Sequence, residues 1–292
     1  FAARAERVWP GLDDKAIASW NGMMLKAMAT GGRVLNRPDL LAAAVANAEF
    51  LLGTMRQRGR LFRSWKAGQV KTPGFLEDFA NVIDGLIALH AATLEPRWLE
   101  EALALADVMV ASFADPKGPG FYDTSAMAEE LVARPREIQD GATPSGSAVA
   151  ADVLLRLGAM TGEEAWTSRA AGYLEALAQP MAEGPVGFGR AIAALDFHLS
   201  APMEVAIAGT PGSADAEALV AEVFAGYRPN LLVGAAGEEL GRRVPFLAGR
   251  PARDGRATAY VCERHACMTP VTDAAALRGQ LDWGSGMAWM EI

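Results

Sequence analysis

Two adjacent carboxylates, Glu77 and Asp78, stand in the stretch GFLEDFANVIDG (74–85), directly after an apolar Gly-Phe-Leu and at the head of an apolar helical run. A carboxyl desolvated by such neighbours has a raised pKa and can act as a general acid, while the positive end of a helix pulls the pKa back down. Both a catalytic and a helix-starting role are therefore open for this pair. Other segments offer comparable groups. LDDKAIASWNG supplies Asp13, Asp14, Lys15, Trp20 and Asn21; GFYD supplies Tyr122 and Asp123; QDGATPSG supplies Asp140, Thr143 and Ser145. Glu77 or Asp78 is then a candidate general acid, with Asp14 or Asp140 as a second carboxylate to serve as base. Trp20 is then a platform for stacking on a sugar face, and the remaining residues bind substrate. Asp13, Asp140 and Ser145 are equally good helix N-caps, so the same residues also have a purely structural use.

What brings these residues into one frame is a repeat. NRPDLLAAAVANAEFLL (36–52), LEPRWLEEALALADVMV (94–110) and TGEEAWTSRAAGYLEAL (161–177) superimpose without gaps on Leu40, Trp98 and Trp166. Each is a polar turn followed by a helix with apolar residues at spacings of three and four, as in Trp98, Ala102, Leu105, Met109 and Phe113. The same offsets carried upstream align Ser19, Glu77 and Ser145, each opening a second helical segment richer in Gly and Ala. Small residues let backbones approach closely, so these segments are expected as inner helices covered by the amphipathic ones. The unit is an αα-hairpin of roughly 60 residues. GFGRAIAALDFHL (187–199) is a fourth inner-type helix.

The fold expected is mainly α, with αα-hairpins stacked as either a solenoid or a closed α/α toroid, the long loops favouring the toroid, and with a small C-terminal α/β appendix. Residues 1–200 form the partial toroid and 201–281 the appendix, where MEVAIAG, NLLVGA and TAYVC read as strands and AEALVAEVFAGY as a helix. Residues 282–292 form a tail with no usable period. The segments 56–74 and 114–144 are too long for plain connectors and read as functional loops, the second with a short β-excursion at GFYDTS and EELVARP. Inner helices that present their N-termini at one end gather Asp14, Glu77 and Asp140 at a shared rim, attractive to polar ligands.

Composition narrows the partners. A net charge of −8 argues against nucleic acid or an anionic membrane surface. No apolar run reaches the ~18–20 residues of a membrane-spanning helix. Two cysteines make no disulfide framework, so a cytoplasmic setting is the default. Cys262, His265 and Cys267 in VCERHAC fall short of a four-ligand zinc site, and no metal or cofactor is expected; a redox role for the thiols stays open. His90 is expected as a structural histidine. His198 and Asp196, two residues apart, do not share a helix face.

LDDKAIASWNGMMLKAMA, GFLEDFANVIDGLIALHAAT, DGATPSGSAVAADVLLRL and TAYVCERHACMTPVTD resemble, in order, the C-terminal region of the YyaL-like and spermatogenesis-associated thioredoxin-domain-containing proteins. The resemblance covers Trp9 to Leu281, and the last eleven residues depart from it. It implies an N-terminal thioredoxin-like domain, absent from this chain and a partner of it in a longer parent, followed by an (α/α)6 toroid of the six-hairpin glycosidase type, of which this chain is part. About half of the hairpins of such a toroid are present. The implied function is carbohydrate-related, by binding, hydrolysis or epimerisation, with a small-molecule ligand. Epimerases of this architecture use histidines, and the three here lie outside the rim motifs. A non-catalytic module serving the thioredoxin-like domain is the alternative.

Overall fold

The computed structural model describes residues 1–128, 132–263 and 266–287. Its helical part is a double layer. Helices α1 (Ala18–Val34), α3 (Leu76–Thr93), α5 (Gly146–Thr161) and α7 (Gly189–Leu199) pack side by side in chain order. Helices α2 (Pro38–Phe50), α4 (Pro96–Phe113) and α6 (Glu164–Ala176) lie respectively on α1, α3 and α5. This is the inner-and-outer alternation that the repeat implies. Proline at the first helical position starts α2 and α4, where its missing N–H costs nothing. Left-handed residues, Leu94 (φ 58°) and Gly162 (φ 75°), end α3 and α5.

Close packing of the inner row rests on glycine at one crossing above all. A methyl group on Gly22 of α1 would fall 2.5 Å from the Asn81 carbonyl carbon of α3, and one on Gly85 of α3 would fall 2.7 Å from the Gly22 oxygen. The two backbones interlock there, and no other residue fits without displacing a helix. Trp98, Phe113, Leu25, Ile83 and Leu86 are fully buried around this row.

The segment 56–74 is a small antiparallel sheet. Strands β1 (Ala16–Ile17) and β2 (Arg56–Gln57) flank β3 (Arg60–Lys66), which also pairs with β4 (Gln69–Pro73). Ala67 (φ 49°) and Gly68 (φ 80°) make the two-residue turn between β3 and β4, the positive-φ pair that a tight hairpin needs. Along 114–144 the described residues contain only an isolated bridge, Ala114 to Phe121. Residues 129–131, within the expected EELVARP excursion, lie outside the described residues, as does His265.

The second sheet has the order β6–β5–β7–β8, with β5 (Met203–Ala208), β6 (Leu231–Ala235), β7 (Thr258–Glu263) and β8 (Ala266–Cys267). Strands β5 and β6 are parallel, joined over α8 (Ala214–Phe224), and β7 returns antiparallel to β5. Helix α9 (Ala274–Met287) contacts α8 and β7, and it extends into the segment that reads as aperiodic in the sequence. Residues 288–292 lie outside the described residues. The appendix docks on the helices through β6 against α3 and through the Arg33–Glu217 ion pair. Among the described residues no helix is long and apolar enough to cross a membrane.

Candidate functional site

A cleft of ≈570 Å³ opens where the N-termini of α3 and α5 meet the 114–144 segment. Its walls bring together Glu77, Asp123, Asp140, Thr143 and Ser145 from the sequence-derived set. Close approach of two helix ends makes this possible. The Gly146 Cα carries no side chain, and a methyl there would lie 3.1 Å from the Cα, Cβ and N of Glu77. Gly146→Ala is therefore expected to lower stability by about 1–2 kcal/mol through overpacking, read as a lower urea midpoint with an unchanged slope.

The two adjacent acids of GFLED part company. Asp78 is wholly buried and committed. Its Oδ1 accepts the Ser19 N–H at 3.0 Å, and its Oδ2 accepts the Phe75 N–H at 2.9 Å and Arg63 Nη1 at 3.2 Å. The contact with Phe75, three residues earlier, is half of a capping box, and the contact with Ser19 ties α1 to α3. Burial pushes the Asp78 carboxyl above its ordinary range, although those N–H groups and Arg63 pull it back. Glu77 instead faces the cleft, ion-paired to Arg63 at 2.6 Å, while its own backbone oxygen takes a hydrogen bond from Asn81.

Asp123 is held at the cleft by its backbone. Its carbonyl accepts from Leu76 N–H at 2.9 Å, and its N–H donates to Pro135 O at 3.0 Å. Burial raises its carboxyl pKa; the Glu137 N–H on Oδ2, at 2.9 Å, lowers it, and the charges of Glu137 and Glu77 add to the rise. Tyr122 next to it has two guanidiniums over its ring, Arg134 at 4.0 Å and Arg136 at 3.9 Å from the ring centre. Its ring is therefore engaged within the protein. Asp140 is also engaged: Oδ1 accepts from Ser145 N–H and Oδ2 from Arg190 N–H, each at 2.8 Å. It joins the start of α5 to the start of α7. Ser145 caps α5 through Ala148 N–H and donates its own hydroxyl to Glu137 O at 2.8 Å.

Asp13, Asp14, Lys15, Trp20 and Asn21 do not line the cleft. The chain before Ala16 runs ahead of α1 rather than capping it, since the N-cap is Ile17. Asp14 pairs with Lys66 at 2.5 Å and Asp13 with Lys15 at 3.4 Å, all four exposed. The Asn21 amide donates to Ile17 O at 2.9 Å, and Trp20 is 61% exposed on α1. Asp14 is thus outside the group formed by Glu77 and Asp140, its carboxylate paired instead with Lys66 at the end of β3.

Arg63, Glu137 and Gln139 line the cleft without belonging to the sequence-derived set. Arg63 shares a face of β3 with Leu61 and Trp65, which packs edge-on to Phe50 at 5.6 Å. It also lies 4.7 Å from the Phe75 ring. The Ala-Gly turn that follows LFRSWK is the one local signal of this hairpin; it marks the turn but not the direction of Arg63.

Below the cleft a charged chain crosses the inner row. Lys26 of α1 donates to both oxygens of Asp84 on α3 at 2.9 Å. Arg190 of α7 bridges Asp84 at 2.8 Å and Asp152 of α5 at 2.5 Å, and Arg156 completes it on Asp152 at 3.0 Å. Burial pushes the Asp84 carboxyl up, but Arg190 and Lys26 outweigh it and hold the group below its ordinary range. His90 is a structural residue: Nδ1 lies 2.9 Å from Glu95 O, and Nε2 accepts from Ala235 N–H at 3.3 Å. Among the described residues no cluster of His, Cys, Asp and Glu is arranged to hold a metal.

No family model matches the chain. Among curated proteins, spermatogenesis-associated protein 20 from Mus musculus is 37% identical over 293 residues, covering 95% of this chain and 37% of the relative. The proteins of that name from Homo sapiens and Rattus norvegicus give the same identity and coverage. The chain spans a little over a third of the length of these curated relatives, and over nearly all of its own length it is homologous to spermatogenesis-associated protein 20.

Proposed function

We propose that the cleft between α3 and α5 binds a neutral polyhydroxylated small molecule of the carbohydrate class and performs acid–base chemistry on it. The observation that carries this reading is a pair of carboxyl groups in one cleft with opposed surroundings. Asp123 is desolvated, with its pKa raised by burial and by neighbouring acids, whereas Glu77 is ion-paired to Arg63. Such a difference separates an acid from a base. Asp123 is then the proton donor and Glu77 the base, with Arg63 orienting Glu77. Asp78 and Asp140 are positioning residues, their oxygens already occupied by backbone N–H groups. The lining carries Glu77, Asp123, Glu137 and Asp140 against Arg63, which disfavours an anionic ligand and offers acceptors to hydroxyl groups.

In this reading the four inner helices are an arc of an α/α toroid. Supporting it, α1 at the end of the row exposes Trp20, Met24, Ala27 and Val34 along one stripe. The greater length of the relatives leaves room for further hairpins and for the thioredoxin-like domain that the resemblance implies.

The test is calorimetric titration with neutral mono- and disaccharides, amino sugars and simple amines, together with turnover assays on any sugar that binds. Asp123→Asn and Glu77→Gln are each expected to lower turnover by at least about 100-fold while affinity changes a few-fold. Sugar binding with no turnover in the parent protein would favour a non-catalytic module. Binding of amines and of no sugar would reject the carbohydrate class.

A further inference from the structure

Remote from the cleft, the edge of the second sheet carries another set of reactive groups. Strands β7 and β8 place Cys262 directly opposite Cys267, and their sulfurs are joined. The two ends of this bond differ in access. Cys262 is 1% exposed, whereas Cys267 is exposed on the edge strand. Both terminal nitrogens of Arg250 lie 3.5 Å from Cys267 Sγ. Among the described residues that sulfur is the only hydrogen-bond acceptor of this guanidinium. The Tyr260 ring, 5.4 Å away, helps to hold it there, and the charge of Glu204 also acts on it.

A disulfide sulfur is a neutral, weak acceptor, while a thiolate is a full anion. Arg250 is partly removed from water, and in the oxidised protein the sulfur that it contacts carries no charge. Reduction supplies a negative charge at that atom. The guanidinium therefore favours the reduced state and keeps the Cys267 thiol deprotonated more readily than an isolated one. The buried Cys262 has no such help and takes up a proton instead.

We propose that Cys262 and Cys267 form a dithiol–disulfide exchange site, with Cys267 the accessible reactive sulfur and a dithiol as the reaction partner. A thiolate of that dithiol attacks Cys267 Sγ, the Cys262–Cys267 bond breaks, and Cys262 leaves as a thiolate that is protonated. The second thiol of the partner, once deprotonated, attacks the partner's own sulfur in the mixed disulfide. The partner closes its disulfide and Cys267 is released as a thiolate against Arg250. Two electrons pass to the protein, and the partner's two protons go to Cys262 and to solvent.

The experiment treats the folded, oxidised chain with dithiothreitol, quenches with iodoacetamide and locates the label by peptide mass spectrometry. The expected result is labelling of both cysteines without denaturant. In the reduced protein, the alkylation rate of Cys267 is expected to titrate below the ~8.5 of an ordinary cysteine. Arg250→Met is expected to slow its alkylation at neutral pH about tenfold, the effect of one pKa unit on the thiolate fraction, and Arg250→Lys to retain most of the rate. A bond that resists dithiothreitol until the protein unfolds overturns the proposal. So does a wild-type Cys267 titrating at or above the ordinary value, a result that stands even if Arg250→Met does not fold.

Discussion

Arg190→Met is expected to destabilise the protein by about 3 kcal/mol, the lower end of the cost of breaking a buried ion pair. Arg190 is the central cation of the chain Lys26–Asp84–Arg190–Asp152–Arg156, and its guanidinium touches two carboxylates that are themselves 9% and 3% exposed. Methionine keeps much of the stem and removes the charge. Among the described residues Asp84 then keeps Lys26 as its ion-pair partner and Asp152 keeps Arg156, each in an apolar helix row. Those remaining cations are why the lower end applies. Adding Asp84→Asn and Asp152→Asn to Arg190→Met is expected to recover most of the loss, because the penalty lies in the stranded charges rather than in a missing attraction. Urea unfolding of the single and triple variants decides the matter. A single-variant loss under 1 kcal/mol, or a triple variant less stable than the single one, removes the network as the tie between α3, α5 and α7.

The helices were legible because their signals are local. Spacings of three and four, prolines at the first turn and the Trp98–Trp166 alignment all lie within one element, and the described helices follow them. The strands of the appendix were legible as short apolar runs between turn residues. Arg63 was not, because β3 is half-buried on both faces and its alternation is weak, so 56–74 reads as a loop until a partner strand is known. The buried network was hidden for another reason. Lys26 and Asp84 are 58 residues apart, and Asp84 and Arg190 are 106 apart, so no window contains both ends. One trace of it is visible: Asp84 stands alone within NVIDGLIAL, and an acid in a run that must be buried requires a cation from elsewhere.

The cleft shows how equivalent positions in a repeat come to differ. Ser19 and Glu77 are each the second residue of their helix, whereas Ser145 is the N-cap of its own. A shift of two residues turns one side chain toward the cleft and another toward the helix end. Glu77 thus meets Arg63, while the neighbouring Asp78 spends its oxygens on Ser19 and Phe75. Glu77 and Asp140 line one cleft, yet the side-chain role of each is set by hydrogen bonds from segments outside the repeat.

His90 gives the second large effect, and it depends on pH. Its ring is wholly buried between Glu95 O and the Ala235 N–H, with burial lowering its pKa to about 4 although the bond to Glu95 O pulls the other way. Protonation costs Nε2 its acceptor role and puts a charge in an apolar site. The unfolded chain, with an ordinary histidine, binds the proton below about 6.5. Between about 6.5 and 4 the unfolded state therefore holds more protons, and stability falls as pH falls, by about 3 kcal/mol across the window. Asp78 and Asp123 work in the opposite sense, since raised carboxyl pKa values favour folding at the lower pH and lose that benefit as pH rises through them. Asp84, held low, contributes its loss only below the ordinary carboxylate range. These terms cancel in a comparison of wild type with His90→Gln. The change in urea midpoint between pH 7.5 and 4.5 is expected to differ between wild type and variant by most of the His90 contribution, with wild type losing more, whatever the variant's absolute stability. Equal losses in the two proteins would mean that His90 carries its proton inside the fold, and the joint between α3 and β6 would then need another explanation.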